Sequence, residues 1–183
     1  MFEVDSQGWL TKFNKCPSPN FNQRPSKNNI SLLVIHNISL PAGQFGTGYI
    51  SQLFTNTLDC CVHPSFGDLK GLTVSAHCMI DRHGLITQYV SFDDRAWHAG
   101  LSSFSGVDNC NDFSIGIELE GTDDLPYTDE QYQSLVNLTQ LIQQHYPMVK
   151  DNIVAHCDIA LGRKTDPGNA FDWSGYFSML AEK

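Results

Sequence analysis

The chain has 183 residues, 41% of them hydrophobic and 11% aromatic, which excludes a disordered polypeptide and suits one domain with a sizeable core. Eleven Lys and Arg stand against twenty Asp and Glu, a formal net charge of −9, which argues against nucleic-acid and anionic-membrane partners. No stretch approaches the ~20 apolar residues that span a bilayer, and the opening MFEVDSQGWLTKFNKC carries acids but no apolar run of the signal-peptide kind, so a cytoplasmic protein is expected.

In chain order, residues 14–30 (NKCPSPNFNQRPSKNNI) are rich in Asn, Pro and Ser. We read 1–29 as an irregular segment packed on a single domain that spans 1–183. Residues 30–36 (ISLLVIH) form a branched apolar run, as expected of a strand buried on both faces, and the chain is expected to leave the sheet at His36 and Asn37. Residues 47–57 read as a helix with Ile50, Leu53 and Phe54 inward, and 59–72 as irregular. The runs 75–80 and 85–90 flank DRHG and read as a hairpin with Gly84 at its turn. Residues 113–119 (FSIGIEL) alternate: Phe113, Ile115, Ile117 and Leu119 on one face, Ser114, Gly116 and Glu118 on the other. A helix over 128–146 opens with a capping box of Thr128 and Gln131, and Pro147 ends it. Residues 152–156 (NIVAH) read as a short strand, and Asp172 as the cap of a last helix carrying Trp173, Tyr176, Phe177 and Leu180. This order predicts an α/β fold, a central mixed β-sheet flanked by helices. The six cysteines, at 16, 60, 61, 78, 110 and 157, are expected as reduced thiols.

Two apolar strands are thus expected to end in histidine, His36 and His156. Each alone is explained more readily by a hydrogen bond to a loop than by a metal. Asp166 follows in GRKTDPG, where Asp-Pro-Gly turns the chain back towards His156. Two imidazoles and a carboxylate make a three-ligand set that leaves a fourth tetrahedral position for water. Glu118 is an acid on a strand whose other face is apolar; it reads either as part of a solvated face or as a general base. Lys164, two residues before Asp166, reads either as a surface lysine or as a cation for a developing negative charge. His77 reads as a hydrogen-bonded structural histidine, and His98 as an even choice between cleft and structure. Cys157, next to His156 on a strand, is expected to face the core.

The segments LLVIHNIS, SAHCMIDRHGLITQYV, AWHAG, CNDFSIGIELEGT, AHCDIALGRKTDPG and FDW together resemble the zinc-dependent N-acetylmuramoyl-L-alanine amidases. This superfamily includes phage amidase lysozymes and peptidoglycan recognition proteins. The resemblance is greatest to its cytoplasmic branch, which cuts 1,6-anhydro-N-acetylmuramyl-L-alanine bonds in bacterial cell-wall recycling. It covers the chain from GWL at 8–10 to FDW at 171–173. It implies one Zn2+ per chain on His36, His156 and Asp166, with Glu118 beside the zinc water and Lys164 stabilising the transition state. Asn37, Trp97 and His98 would lie in the substrate cleft. The implied substrate is an anhydromuropeptide, the implied partner set contains neither nucleic acid nor membrane, and a monomer is expected. The family fold agrees with the mixed sheet read above. The stretches KGLTV and GVDN depart from the branch pattern in lacking arginine, which leaves Arg95, Arg163 or Lys70 to grip stem-peptide carboxylates. Two rivals follow from the same residues: a muropeptide-binding module of the same fold that does not cut, and a cysteine hydrolase built on Cys157 or Cys78.

Overall fold

The branched run that opens at Ile30 becomes an inner strand of a six-stranded sheet. The computed structural model describes residues 3–26 and 29–182. Its strands are β1 (Asn14–Lys15), β2 (Phe21–Gln23), β3 (Leu32–Ile38), β4 (Cys78–Ile80), β5 (Ile86–Gln88), β6 (Asp94–Ala96), β7 (Ser103–Phe104), β8 (Val107–Asp108), β9 (Ser114–Glu120) and β10 (Ile153–Ala155). Its helices are α1 (Tyr49–Phe54), α2 (Asp129–His145), α3 (His156–Ile159) and α4 (Trp173–Ala181), with 3-10 turns at Pro64–Leu69 and Cys110–Asp112. The sheet runs β1-β5-β4-β9-β3-β10, with β4 and β5 antiparallel and the other neighbours parallel. It is the expected mixed sheet with helices packed on it.

Alternation along β3 and β9 sorts the two faces. Leu33 and Ile35 of β3, with Ile115, Ile117 and Leu119 of β9, join Leu135, Leu138 and Ile142 of α2 and Tyr176 of α4 in the main core. Leu32 and Val34 point the other way, onto Ala99, Cys110 and Ile159. Phe113 belongs to this second cluster rather than to the isoleucine face. It precedes β9 with φ −134° and ψ 10°, so strand parity does not extend to it. The helix over 128–146 forms with both halves of its capping box, Thr128 accepting from the Gln131 N–H and Gln131 accepting from the Thr128 N–H. The hairpin closes as read: Gly84 at φ +75° passes so near α2 that a Cβ would sit 2.6 Å from the Glu130 carbonyl oxygen.

Four expectations change in detail. The strand β3 continues through His36 and Asn37 to Ile38, because β9 pairs with it over that whole length. β10 stops at Ala155, and His156 opens the helical turn α3. Cys157 is therefore not a strand neighbour facing the core; it sits half-buried on α3. The N-terminal segment is not wholly irregular. Cys16 and Ser18 donate their N–H groups to Gln88 and Tyr89 carbonyls at 2.9 and 2.8 Å, covering an edge that would otherwise be open, and β2 pairs with β6. All six cysteines are free thiols.

Candidate active site

Register and a folded-back turn build the site. In β3 and β9, His36 lies directly beside Glu118. β10 runs parallel to β3 and delivers His156 just past Ala155. The chain then loops and returns. The Gly168 N–H donates to the Thr165 carbonyl at 3.0 Å, and the Cys157 N–H donates to the Asp166 carbonyl at 3.1 Å. The Asn37 side chain donates to Asp123 Oδ1 at 2.8 Å and to the Pro167 carbonyl at 3.0 Å, which pins the turn against β3. Gly168, at φ +81°, passes Asp123 where any Cβ would collide with its backbone. The Asp-Pro-Gly turn thus brings Asp166 back to the histidine it left.

The result is a triangle of donor atoms. His36 Nδ1 and His156 Nδ1 lie 2.9 Å apart, and Asp166 Oδ2 lies 3.2 and 3.0 Å from them. A tetrahedral ion with ligands at about 2.0–2.1 Å sets neighbouring donors about 3.3–3.4 Å apart, so the triangle matches one face of such a shell to within a few tenths of an ångström. The three residues could hold a metal ion. Electrostatics suits the same use. Burial, with the neighbouring His156, lowers the His36 pKa to about 4 even against Asp166, so its imidazole is neutral at pH 7 with a free lone pair. Burial alone pushes the Asp166 carboxyl up, but the His156 and His36 rings packed against it outweigh this and hold it below the ordinary carboxylate range.

Both ligand rings have an outer partner. Since each presents Nδ1 to the triangle, each carries its proton on Nε2. His36 Nε2–H donates to His98 Nδ1 at 2.9 Å, and His156 Nε2–H to the Ala99 carbonyl at 3.2 Å. His98 in turn donates from Nε2 to Ser114 Oγ at 3.1 Å. Its ring lies against Gly116, at a spot that a Cβ would fill. Behind it, His77 is fully buried: its Nδ1 accepts from the Gly116 N–H at 3.0 Å and its Nε2–H donates to the Asp94 carbonyl at 3.1 Å, as expected of a structural histidine.

The triangle opens on a cavity of about 260 Å³ lined by His36, Asn37, Trp97, His98, Glu118, His156, Lys164 and Asp166. All eight residues picked from the sequence therefore meet at one place. Glu118 is 9% exposed, and its Oε2 has no hydrogen-bond partner among the described residues. Burial first, and then the negative charge of Asp166, raise its pKa well above the ordinary carboxylate value, while Lys164 opposes the rise. An unpartnered buried carboxylate oxygen beside a three-donor set is what a metal-bound water requires as a neighbour. The β9 face that carries it is not solvated, since all seven residues of the strand are buried. Glu120, the next acid of that parity, is structural: it accepts from the Gly46 N–H at 2.7 Å. Lys164 is exposed and reaches the cavity from its rim. Trp97 is held by its Nε1–H, which donates to Asn22 Oδ1 of β2 at 2.7 Å.

The sulfur groups do not compete. Cys157 has its pKa raised by burial and by the charges of Asp158 and Asp166, and Cys78 is wholly buried with its pKa pushed well up. Neither is an activated thiolate. Of the cations proposed for stem-peptide carboxylates, Arg95 is paired with Asp112, and Arg163 Nη2 donates to the Ala99 and Leu101 carbonyls at 2.6 and 2.8 Å. Sequence reasoning missed two residues behind the site, Arg24 and Asn111. The Asn111 Oδ1 accepts from the His98 and Ala99 N–H groups, and the Asn111 carbonyl accepts from Arg24 Nη1 at 3.0 Å. Arg24 lay hidden in a segment read as irregular; Asn111 stood in the CNDF block without a role.

Residues 26–169 match the family described as Amidase_2, N-acetylmuramoyl-L-alanine amidase. The chain is 53% identical over 177 residues, 97% of each protein, to the 1,6-anhydro-N-acetylmuramyl-L-alanine amidase AmpD of Escherichia coli (strain K12). A solved structure described as a crystal structure of a Se-Met AmpD derivative superposes with a TM-score of 0.95 at 53% identity, covering 97% of this chain and 99% of that one. A second, the amidase AmiD of E. coli in complex with the substrate anhydro-N-acetylmuramic acid-L-Ala-D-gamma-Glu-L-Lys, superposes at 0.62 and 27% identity, covering 96% of this chain and 64% of that one.

Proposed function

This chain belongs to the N-acetylmuramoyl-L-alanine amidase family, and from that premise we propose that it hydrolyses the amide between 1,6-anhydro-N-acetylmuramic acid and L-alanine in peptidoglycan-derived muropeptides, with one Zn2+ on His36, His156 and Asp166. The observation that carries the reading is the triangle of two Nδ1 atoms and one carboxylate oxygen, with edges of 2.9 to 3.2 Å, in the same cavity as the unpartnered Glu118 Oε2. Two imidazoles and one carboxylate are a donor set that zinc accepts, with a fourth position left open. The AmpD relative supplies the substrate by its name, and the AmiD complex supplies the same anhydromuramyl-peptide class.

When bound, zinc supplies Lewis acidity, lowering the pKa of water and polarising the scissile carbonyl. The protein's own groups do the rest. Glu118 takes a proton at Oε2 from the attacking water and returns it to the amine of L-alanine as that group leaves. The Lys164 ammonium stands at the rim, where the carbonyl oxygen becomes an oxyanion. Trp97 offers an apolar wall to the sugar, and Asn37 shapes the floor through its bonds to Asp123 and Pro167. His98 acts through His36, to which it is hydrogen-bonded. Six free thiols suit a reducing compartment, so the reading extends to the cytoplasm and to wall fragments recovered there. No described helix is long and apolar enough to cross a membrane.

The test is to incubate zinc-loaded protein with anhydromuramyl-tripeptide and to follow the products by mass spectrometry. Free tripeptide and anhydromuramic acid are expected. Binding of the muropeptide without any release of peptide would overturn the reading in favour of a non-cutting module.

A further inference from the structure

Both ligand histidines are aimed by one short turn. His36 donates to the His98 ring, and His156 donates to the carbonyl of the next residue, Ala99. A metal-ligating imidazole is only as well oriented as the acceptor on its other nitrogen. The question is therefore what holds residues 98 and 99.

One side chain holds both. Asn111 is 6% exposed, and its Oδ1 accepts from the His98 N–H at 3.1 Å and from the Ala99 N–H at 2.8 Å. Those two N–H groups belong to the peptide planes on either side of the His98 Cα. Fixing both planes fixes φ and ψ of His98 and hence the direction of its side chain. The Ala99 carbonyl lies one peptide further on, and Arg163 Nη2 grips it at 2.6 Å. Asn111 is itself seated from behind, because its own carbonyl accepts from the buried Arg24. A line of contacts thus runs from Arg24 through Asn111 to the outer partners of two ligands contributed by β3 and α3.

We propose that Asn111 is a positioning residue of the metal centre, its side-chain oxygen setting the His98 ring and the Ala99 carbonyl that orient His36 and His156. The proposal rests on the zinc reading above. Loss of an outer partner of this kind typically weakens metal binding by about 10–100-fold, and Asn111 governs two such partners at once. A residue that merely stabilised the turn would lower the unfolding temperature and leave the zinc affinity of the folded protein alone.

The experiment measures zinc dissociation constants of the purified full chain by competition with a chromophoric chelator, with near-UV circular dichroism to establish that each variant is folded. Asn111→Ala is expected to bind zinc about 10–100-fold more weakly than wild type. Should Asn111→Ala not fold, Asn111→Ser serves in its place, since its hydroxyl falls one bond short of the two N–H groups. Asn111→Asp keeps an oxygen at the original reach and is expected to retain tight binding. Wild-type affinity in the Ala or Ser variant overturns the proposal, and so does an equal loss in Asn111→Asp. Wild-type protein that binds no zinc overturns the metal reading itself, and the proposal with it.

Discussion

Arg24 is the residue whose removal has the most calculable effect. It leaves the N-terminal segment, is 6% exposed, and donates to three backbone carbonyls: Phe92 at 3.3 and 3.2 Å, Asn111 at 3.0 Å and Ser114 at 2.7 Å. Burial lowers its pKa to about 10, so it remains charged at neutral pH. Arg24→Met keeps much of the volume and strands all three carbonyls. A buried acceptor left without a donor costs about 1–3 kcal/mol. The low end applies here, because the variant also escapes the desolvation penalty of a buried guanidinium. Three acceptors then give about 3 kcal/mol, and a domain of this length loses about 2–4 °C in Tm per kcal/mol, so a drop of about 6–12 °C is expected. Thermal unfolding followed by circular dichroism measures it, with Arg24→Lys as a charge-preserving comparison expected to recover part of the loss. A Tm within about 2 °C of wild type for Arg24→Met would refute the claim that these carbonyls depend on it.

Three further outcomes are expected. Lys164→Ala should lose about 10²–10³ in kcat while keeping stoichiometric metal, as removal of one transition-state donor does; full activity would remove Lys164 from the chemistry. His36→Ala and Asp166→Ala should lose both zinc, by elemental analysis, and turnover, and a chelator should abolish wild-type activity that added zinc restores; retention of one metal per chain in either variant would mean that the ligands are others. For the metal-free protein, the raised pKa of Glu118 means that the native state holds its proton where the unfolded chain, titrating near ~4.3, has lost it. Wild-type stability therefore falls as pH rises past that value towards the native pKa, whereas Glu118→Gln does not titrate, so its Tm advantage should widen between pH 4.5 and 7; a constant gap would show that Glu118 is not held protonated.

What was legible in the sequence depended on periodicity and on punctuation. β3 and α2 announced themselves through an apolar run and a capping box, and both formed within two residues of the expected bounds. The converging set His36, His156 and Asp166 was legible because the Asp-Pro-Gly turn that begins ten residues after the second histidine sends the chain back towards it. The short strands of the N-terminal segment were not, because β1 and β2 are two and three exposed residues whose pairing is made by backbone bonds to β5 and β6. Such pairing leaves no hydrophobic pattern to read. The same holds for α3, a single turn whose start at His156 is set by Asp158, which accepts from the Ala155 N–H at 2.9 Å.

The polar face of β9 left Glu118 with two readings, for a reason that bears on the site itself. Alternation of Ser114, Gly116 and Glu118 with isoleucine and leucine is the pattern of a strand half in water. Here each of the three residues does something only a buried neighbour of the site could do. The Ser114 hydroxyl receives the far nitrogen of His98, and Gly116 gives up its side chain to make room for that ring and lends its N–H to His77. Glu118 keeps one oxygen unpartnered towards the cavity. Substituting Ser114 or Gly116 by a surface-favoured residue would leave the alternation intact and dismantle the support of His36. A period of two reports only that the faces differ; whether the polar one meets water or a reaction centre is decided by what the rest of the chain lays over it, here the turn at 98–99 and the returning loop that carries Asp166.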